Sequence, residues 1–298
     1  MIIKRFIVIV LFLVFISSAA HTQDFDVVVS IGEDLTEKQK NEILELFNVK
    51  DNVKIIKVTN SEERKYLGKY IDEKLIGTKA ISSAYVKKLS NNEGISVETY
   101  NITWVSKEMY MNALVTAGIK DAKVKVAAPY EVSGTAALTG IIKAFENATG
   151  NKIGEREKEV ANEEIAKTGE LGQKIGKKQA SQLIKEIKEE VVAKDLKEED
   201  KIRKIVIKVS NELNIKLEKE EIDEIVKLMK DISELNLNLK EIKKQLKGIS
   251  DKLNELSKEN QEIKSLLERI LEFLRKLFSD ILTKLNNILQ PVNKIKYL

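Results

Sequence analysis

Ser133, Gly134 and Thr135 form the segment of the chain that is best suited to bind an anion. They follow a predicted strand and open a predicted helix, and the free backbone N–H groups at a helix N-terminus can hold a negatively charged group. The structural alternative is commoner: Ser133 would cap the helix with its hydroxyl group, and small residues in the first turns would let the helix pack closely on a sheet. Those small residues are Gly134, Ala136, Ala137 and Gly140.

Side chains that carry much of enzyme chemistry are missing. The chain has no cysteine, which excludes thiol nucleophiles, zinc thiolates and disulfides. The only histidine is His21, close to the chain terminus, which is a poor place for a catalytic base. Lys167, Thr168 and Gly169 match one element of the serine penicillin-recognising enzymes, but the Ser-x-x-Lys motif is absent and Gly169 is predicted to end a helix. We therefore predict no metal and no cofactor, and the catalytic residues stay unknown.

Residues 1–20 have the pattern of a secretory signal peptide. Lys4 and Arg5 precede an apolar run over residues 6–16, and small residues follow up to Ala20. An uncleaved membrane anchor is the alternative, although the apolar run is shorter than the roughly 20 residues that span a bilayer. The sequence therefore predicts a secreted or extracytoplasmic protein of the cell envelope, cleaved after Ala20.

The elements that would position these residues form a predicted mixed α/β domain over residues 24–150. Strand, helix, strand and helix alternate first, and Thr36 with Gln39 has the spacing of a capping box. Residues 80–89 and 95–105 then read as a hairpin around a polar loop. A helix capped by Ser106, a strand ending at Pro129 and a further helix complete the domain.

The aromatic residues of the second hairpin strand allow two interpretations. Tyr100, Ile102 and Trp104 alternate along one face. Alternating apolar residues normally cover a core, and a stacking platform for sugar rings is the functional alternative.

Strand signals stop after residue 150. Residues 151–227 are predicted to be helical, with breaks at Gly169, Gly172 and Gly176. The fold class is therefore α+β: a mixed α/β N-terminal domain, an all-helical region, and a long amphipathic helix of the coiled-coil type at the C-terminus.

The C-terminal helix is predicted over residues 228–290, with a tail over residues 291–298. Apolar residues repeat at alternating three- and four-residue spacing, which is typical of a coiled coil. Asn260 is the one polar residue on the seam, where it would fix the register of the pairing. The predicted helix-pairing core comprises Leu228, Ile232, Leu235, Leu239, Ile242, Leu246, Ile249, Leu253, Leu256, Ile263, Leu267, Ile270, Leu274, Leu277 and Ile281.

The partner of this helix is open from the sequence. Self-association and a helical protein partner both fit the pattern, and a fold-back near Gly248 would make the pairing internal. Residues 263–298 combine a wide apolar face with a local excess of basic residues, which would also suit an anionic membrane or a cell-wall polymer. A thicker helical bundle is the protein-only alternative. Acidic residues are interspersed with the basic ones along the chain, so we predict no nucleic-acid partner.

Three phrases of the sequence resemble one bacterial family. They are residues 101–118, residues 132–140 and residues 80–85, and they are similar to the family catalogued as domain of unknown function 1002. The similarity runs over about residues 25–229. The resemblance implies an exported protein of Gram-positive-type bacteria and a shared fold, and it implies no activity and no catalytic residue.

These observations favour a non-enzymatic binding or scaffolding protein of the cell envelope that oligomerises or docks through its C-terminal helix. An envelope hydrolase or carbohydrate-binding enzyme, using carboxylates or Ser133, is the first alternative. Peripheral attachment to a membrane through residues 263–298 is the second.

Overall fold

The computed structural model describes residues 26–49 and 53–235, and residues 241–242, 244–246 and 248–249 beyond them. The predicted signal peptide lies outside the described residues. The same holds for Leu239, for Asn260 and for every residue of the predicted helix-pairing core from Leu253 onward.

A five-stranded mixed sheet forms the N-terminal part of the fold. Its strands are β1 (Val27–Gly32), β2 (Lys54–Val58), β3 (Ser83–Lys88), β4 (Ile95–Ile102) and β5 (Ala122–Val132). Their order across the sheet is β2-β1-β3-β5-β4. The β1–β2 and β4–β5 pairs are parallel, and β3 is antiparallel to both β1 and β5.

The predicted hairpin of β3 and β4 is wrong, because β5 lies between them. Val124 and Val126 of β5 are fully buried, and they pair with β3 on one side and with β4 on the other. The strand also continues through Pro129, where we predicted its end. Proline lacks an N–H group for the sheet, and the pairing of β4 with β5 is irregular near this point. Asn101 of β4 lies at a register shift, with a φ of 58°, and its side-chain amide donates to the Ala128 carbonyl.

Helices cover both faces of the sheet. On one face lies α1 (Glu37–Leu46), where Ile43 and the following Phe47 pack with Val29 of β1. Chain segments after β2 form α2 (Asn60–Leu67) and the short α3 (Glu73–Ile76). The other face carries α4 (Lys107–Thr116), beside β4, and α5 (Thr135–Thr149), on β1, β2 and β3. A Cβ atom at Gly140 of α5 would lie 2.5 Å from Ser30 Oγ, so glycine permits this close approach.

Four further helices form the helical part. They are α6 (Glu155–Ile175), α7 (Lys177–Ala193), α8 (Glu199–Glu212) and α9 (Lys219–Ser233). The predicted helix end at Gly169 is wrong, because α6 continues through Gly169 and Gly172. Gly169 instead faces a ring: a Cβ atom there would lie 2.3 Å from Trp104, so no larger residue fits without a shift.

A buried ion pair joins the helical part to the sheet layer. Lys188 of α7 and Glu164 of α6 are 0% and 1% exposed, and Lys188 Nζ lies 2.7 Å from Glu164 Oε1. The same ammonium group donates to the Asn112 carbonyl at 2.8 Å and to Thr116 Oγ1 at 2.9 Å, both on α4. Thr116 in turn donates to Glu164. Burial lowers the pKa of Lys188, and the charge of Glu164 acts in the opposite direction.

The first members of the predicted helix-pairing core belong to the core of the helical part. Leu228 and Ile232 lie in α9, Leu235 follows it, and all three are buried with residues of α7 and α8. Ile242, Leu246 and Ile249 are also buried. The described residues up to Leu246 belong to one compact unit. Among the described residues, no helix is both long and apolar enough to cross a membrane.

We expect Lys188→Met to destabilise the protein strongly. The substitution leaves the Glu164 carboxylate buried without its counter-charge, and loss of one partner of a buried pair costs about 3–5 kcal/mol. Chemical denaturation would measure the change in the free energy of unfolding. Lys201→Met is the matched control, because Lys201 and Glu198 form an exposed pair (58% and 62%), which contributes about 1 kcal/mol or less. Equal losses in the two variants would contradict the role of the buried pair.

Candidate functional site

The N-terminus of α5 has the geometry of an uncapped helix end. The N-cap residue is Gly134, with a left-handed φ of 90°, and no side chain caps the helix. Ser133 as the N-cap is therefore a wrong prediction: its hydroxyl group instead lies 3.0 Å from Thr135 Oγ1. The first N–H groups of α5 lack a side-chain partner, and the partial positive charge of the helix end is concentrated there.

A contact with α4 fixes the position of Gly134. Tyr110 is fully buried, and its hydroxyl group donates to the Gly134 carbonyl. A Cβ atom at Gly134 would lie 2.4 Å from Ile102 Cγ2 and 2.7 Å from the Tyr110 hydroxyl. The left-handed φ and this contact together require glycine. The β5–α5 junction is thus positioned by α4 and by the end of β4.

A cavity of about 530 Å³ opens at this helix end. Its walls come from α2, from α3 and the loop after it, from the segment before α4, and from the β5–α5 junction. The polar residues that line it are Glu63, Lys74, Thr78, Lys79, Ser82, Thr103, Trp104, Glu131, Ser133 and Thr135. Ser133, Gly134 and Thr135, which the sequence singled out, therefore lie in the wall of one cavity.

The loop that forms one wall is fastened to α2. Asn60 Nδ2 donates to the Gly77 carbonyl at 3.4 Å, and Arg64 Nη2 donates to the same carbonyl at 2.5 Å. Arg64 also forms an ion pair with Glu73 of α3. Gly77 has a φ of 72°, a conformation that residues with a Cβ atom rarely adopt. These contacts place Lys74 and Lys79, both exposed, beside the cavity.

Glu63 is the most unusual group in the wall. It is 0% exposed, and its Oε2 accepts a long hydrogen bond from Asn60 Nδ2, at 3.4 Å. Its Oε1 is buried without a hydrogen-bond partner. Burial raises the pKa of Glu63 to about 7, although the side chains of Thr135 and Asn60 and the charge of Arg64 act in the opposite direction. The carboxyl group can therefore gain or lose a proton near neutral pH.

Trp104 supplies a second buried polar group without a partner. Its side chain is 7% exposed and packs on Gly169 of α6, and its indole Nε1 has no hydrogen-bond partner. An indole N–H can only donate. Of the three alternating residues at the end of β4, Tyr100 is 37% exposed, so the aromatic residues do not form one covered face.

The arrangement makes this cavity the candidate site of the protein. Buried polar groups are normally hydrogen-bonded, and here a carboxyl oxygen and an indole N–H without partners belong to two side chains that line one cavity. Ser133 has a hydroxyl group rather than a base as its partner, so nothing in the described contacts activates it as a nucleophile. No group of three or more potential metal-binding side chains occurs among the residues that the structure describes.

Sequence reasoning identified the helix end but missed Glu63 and Trp104 as its neighbours. Glu63 lies in a run of charged residues on α2 and looks like any solvated glutamate. Its burial follows from the packing of α2 against α5 and α6, which no local pattern encodes. The alternating pattern of Trp104 predicts a core or sugar-stacking role and does not indicate that it lines this cavity.

Comparisons with known proteins place the chain in one family. The family model described as "Protein of unknown function (DUF1002)" matches residues 31–249. The chain is 45% identical over 214 residues to "Uncharacterized protein YpuA" of Bacillus subtilis (strain 168), and the match covers 72% of this chain and 74% of that protein. No solved structure matches the chain. The resemblance seen in the sequence is confirmed, and the protein belongs to the DUF1002 family of proteins of unknown function.

Proposed function

We propose that the protein is an exported, non-enzymatic binding protein of the cell envelope, and that the cavity at the N-terminus of α5 is its binding site. One observation carries the proposal: Glu63 Oε1 and Trp104 Nε1 are both buried without a hydrogen-bond partner in side chains that line the same cavity. A ligand that completes these hydrogen bonds would remove the cost of two unsatisfied buried groups.

Binding is better supported than hydrolysis. A serine nucleophile needs an adjacent base, and the described partner of Ser133 is the hydroxyl group of Thr135. The only histidine of the chain is His21. A carboxyl group with a pKa of about 7 also suits acid–base work, so the hydrolase alternative would rest on Glu63 rather than on Ser133.

The export part of the proposal rests on the first 20 residues. Lys4 and Arg5, the apolar run over residues 6–16 and the small residues before His21 support a cleaved signal peptide. The mature chain would then begin at His21 and act outside the cytoplasm.

Self-association through the C-terminal repeat is the second part of the proposal. Leu228, Ile232 and Leu235 are buried in the core of the helical part, so they do not contribute to pairing between copies. The remaining seam positions from Leu253 onward keep the repeat of a coiled coil in the sequence. This repeat supports pairing between copies of the chain, each of which would carry its own cavity.

The indole N–H signal in a ¹H–¹⁵N NMR spectrum would test the binding site, because Trp104 is the only tryptophan. We expect one of a panel of small probes (acetate, sulfate, glycerol and N-acetylglucosamine) to shift this signal in a saturable way. Trp104→Phe removes the donor and the signal, so backbone signals of residues 133–136 would be followed in that variant, with weaker binding expected. If no probe shifts any of these signals, the cavity is not a site for ligands of these classes.

A second expectation concerns stability and pH. The pKa of Glu63 rises from 4.5 to about 7 on folding, so the folded state binds the proton more tightly than the unfolded chain. Stability is therefore lost as pH rises from about 4.5 to 7, and the cost is fully present above pH 7. The free energy of unfolding of Glu63→Gln, relative to that of the wild type, should therefore be about 2–3 kcal/mol higher at pH 8 than at pH 5.

Thermal or chemical denaturation at the two pH values would measure this difference. Glu98→Gln is the matched control, because Glu98 lies outside the cavity and Lys123 helps to hold its pKa below the ordinary value. A gain for Glu63→Gln that is the same at both pH values would show that Glu63 is not a destabilising carboxylate.

Light scattering of the full mature chain would test self-association. We expect the double variant Leu253→Lys and Ile270→Lys to have a lower mass than the wild type, because both positions lie on the predicted seam. The matched control introduces the same charge at predicted outer positions, with Asn254→Lys and Ser265→Lys. A wild-type protein that stays monomeric at all concentrations would show the proposal of self-association to be wrong.

A further inference from the structure

We infer that the cavity at the N-terminus of α5 binds an oxyanion group, such as a carboxylate, together with one proton that Glu63 holds. The inference deepens the proposed function and rests on it, since it names the ligand chemistry of the same cavity and a regulation by pH.

The donors around the cavity favour an anion over a neutral ligand. The N-terminus of α5 has no side-chain cap, and the helix has 15 residues, so its end carries a partial positive charge. Lys74 and Lys79 lie at the same cavity and are exposed. The indole N–H of Trp104 is a donor without a partner. Each of these groups can donate a hydrogen bond to an oxygen of an oxyanion or attract its negative charge.

The buried carboxyl group of Glu63 would repel an anion if it were ionised. When it is protonated, the same group becomes a donor. The free Oε1 can carry the proton, because Oε2 already accepts a hydrogen bond from Asn60. An O–H group on Glu63 would then donate to the bound oxyanion. Burial already raises the pKa of Glu63 to about 7, and a bound negative charge would raise it further.

Charged and titratable groups face Glu63 from several elements. Arg64, its neighbour on α2, is bound to Asn60, Gly77 and Glu73. Tyr110 of α4 is fully buried, and burial raises its pKa further above 10. The exposed Glu131 lies at the cavity on the β5 side, and the exposed Lys74 of α3 and Lys79 of the loop after α3 lie on the other side.

The two helices packed against α2 contribute paired charges and one buried acid, Glu163 of α6. Burial raises the pKa of Glu163, which interacts with Tyr70 and does not line the cavity. On α5, Lys143 lies 2.6 Å from Glu62, and Glu146 lies 3.0 Å from Lys158 of α6. On α6, Glu155 pairs with Lys65 at 2.7 Å, and Glu159 pairs with Lys69. Of these groups, Glu63 is the one that lines the cavity and has a raised pKa in the neutral range.

Binding linked to one proton has a defined pH profile. Below the pKa of the free protein the affinity is constant, because Glu63 already holds the proton. Above it, each ligand that binds must bring a proton with it, so the dissociation constant rises about tenfold per pH unit. Glutamine has the size of glutamic acid and donates a hydrogen bond at every pH. Glu63→Gln should therefore bind the oxyanion with the same affinity across the range.

The experiment is a titration of the full mature chain with acetate and, separately, with sulfate at pH 6, 7, 8 and 9. Both probes keep a constant charge in this range, and the Trp104 indole signal reports binding. For the wild type we expect an affinity that is level at the acidic end and falls about tenfold per unit at the basic end. For Glu63→Gln we expect a flat profile at the wild-type acidic affinity, and for Glu98→Gln the wild-type profile.

The outcomes separate this inference from the proposed function. A flat wild-type profile for the oxyanions would overturn the proton linkage, as would an unchanged slope in Glu63→Gln. Saturable binding of glycerol or N-acetylglucosamine without binding of either oxyanion would overturn the ligand class while the cavity remains a binding site. No shift with any probe at any pH would overturn the proposed function itself. The wild-type profile decides the matter even if Glu63→Gln does not fold.

Discussion

The packing of α4 between the sheet and the helical part is the constraint on which the rest of the structure depends. Lys188 is fully buried, and an ammonium group without partners would be far too costly there. It is satisfied because α6 provides the Glu164 carboxylate while α4 provides the Asn112 carbonyl and the Thr116 hydroxyl. A buried pair of this kind adds little net stability over apolar packing, but its hydrogen bonds need groups from all three helices at the same time.

That arrangement also builds the candidate site. The first turn of α4 carries Tyr110, which holds the Gly134 carbonyl at the start of α5. Trp104, just before α4, packs on Gly169 of α6 and lines the cavity. The walls of the cavity come from residues 63–136, and the helical part supports one of them, because Trp104 packs on Gly169 of α6. A shift of α4 relative to α6 would move Trp104 and Gly134 together.

Local signals predicted the local structure well. The capping box of Thr36 and Gln39 and the cap at Ser106 are confirmed, because a cap depends on residues three positions apart. The order of the strands was missed, since the insertion of β5 between β3 and β4 is decided by pairing over long sequence distances. The sequence predicts a helix end at Gly169 for the same reason: only the packing of Trp104 explains a glycine in the interior of this helix. The helix end at Gly134 was found from sequence, whereas the buried Glu63 beside it was not.

Glu63 is the residue whose presence stability alone does not explain. A neutral glutamine could make similar contacts without the cost of a buried ionisable group near neutral pH. Arg64 is adjacent in sequence, yet its guanidinium group is bound to Asn60, Glu73 and the Gly77 carbonyl. Arg64 thus holds the loop at Gly77 instead of pairing with Glu63, and Glu63 Oε1 has no hydrogen-bond partner. Natural proteins tolerate such costs mainly where function requires them, and a titratable group beside an uncapped helix end gives the cavity a charge state that follows the pH of its surroundings.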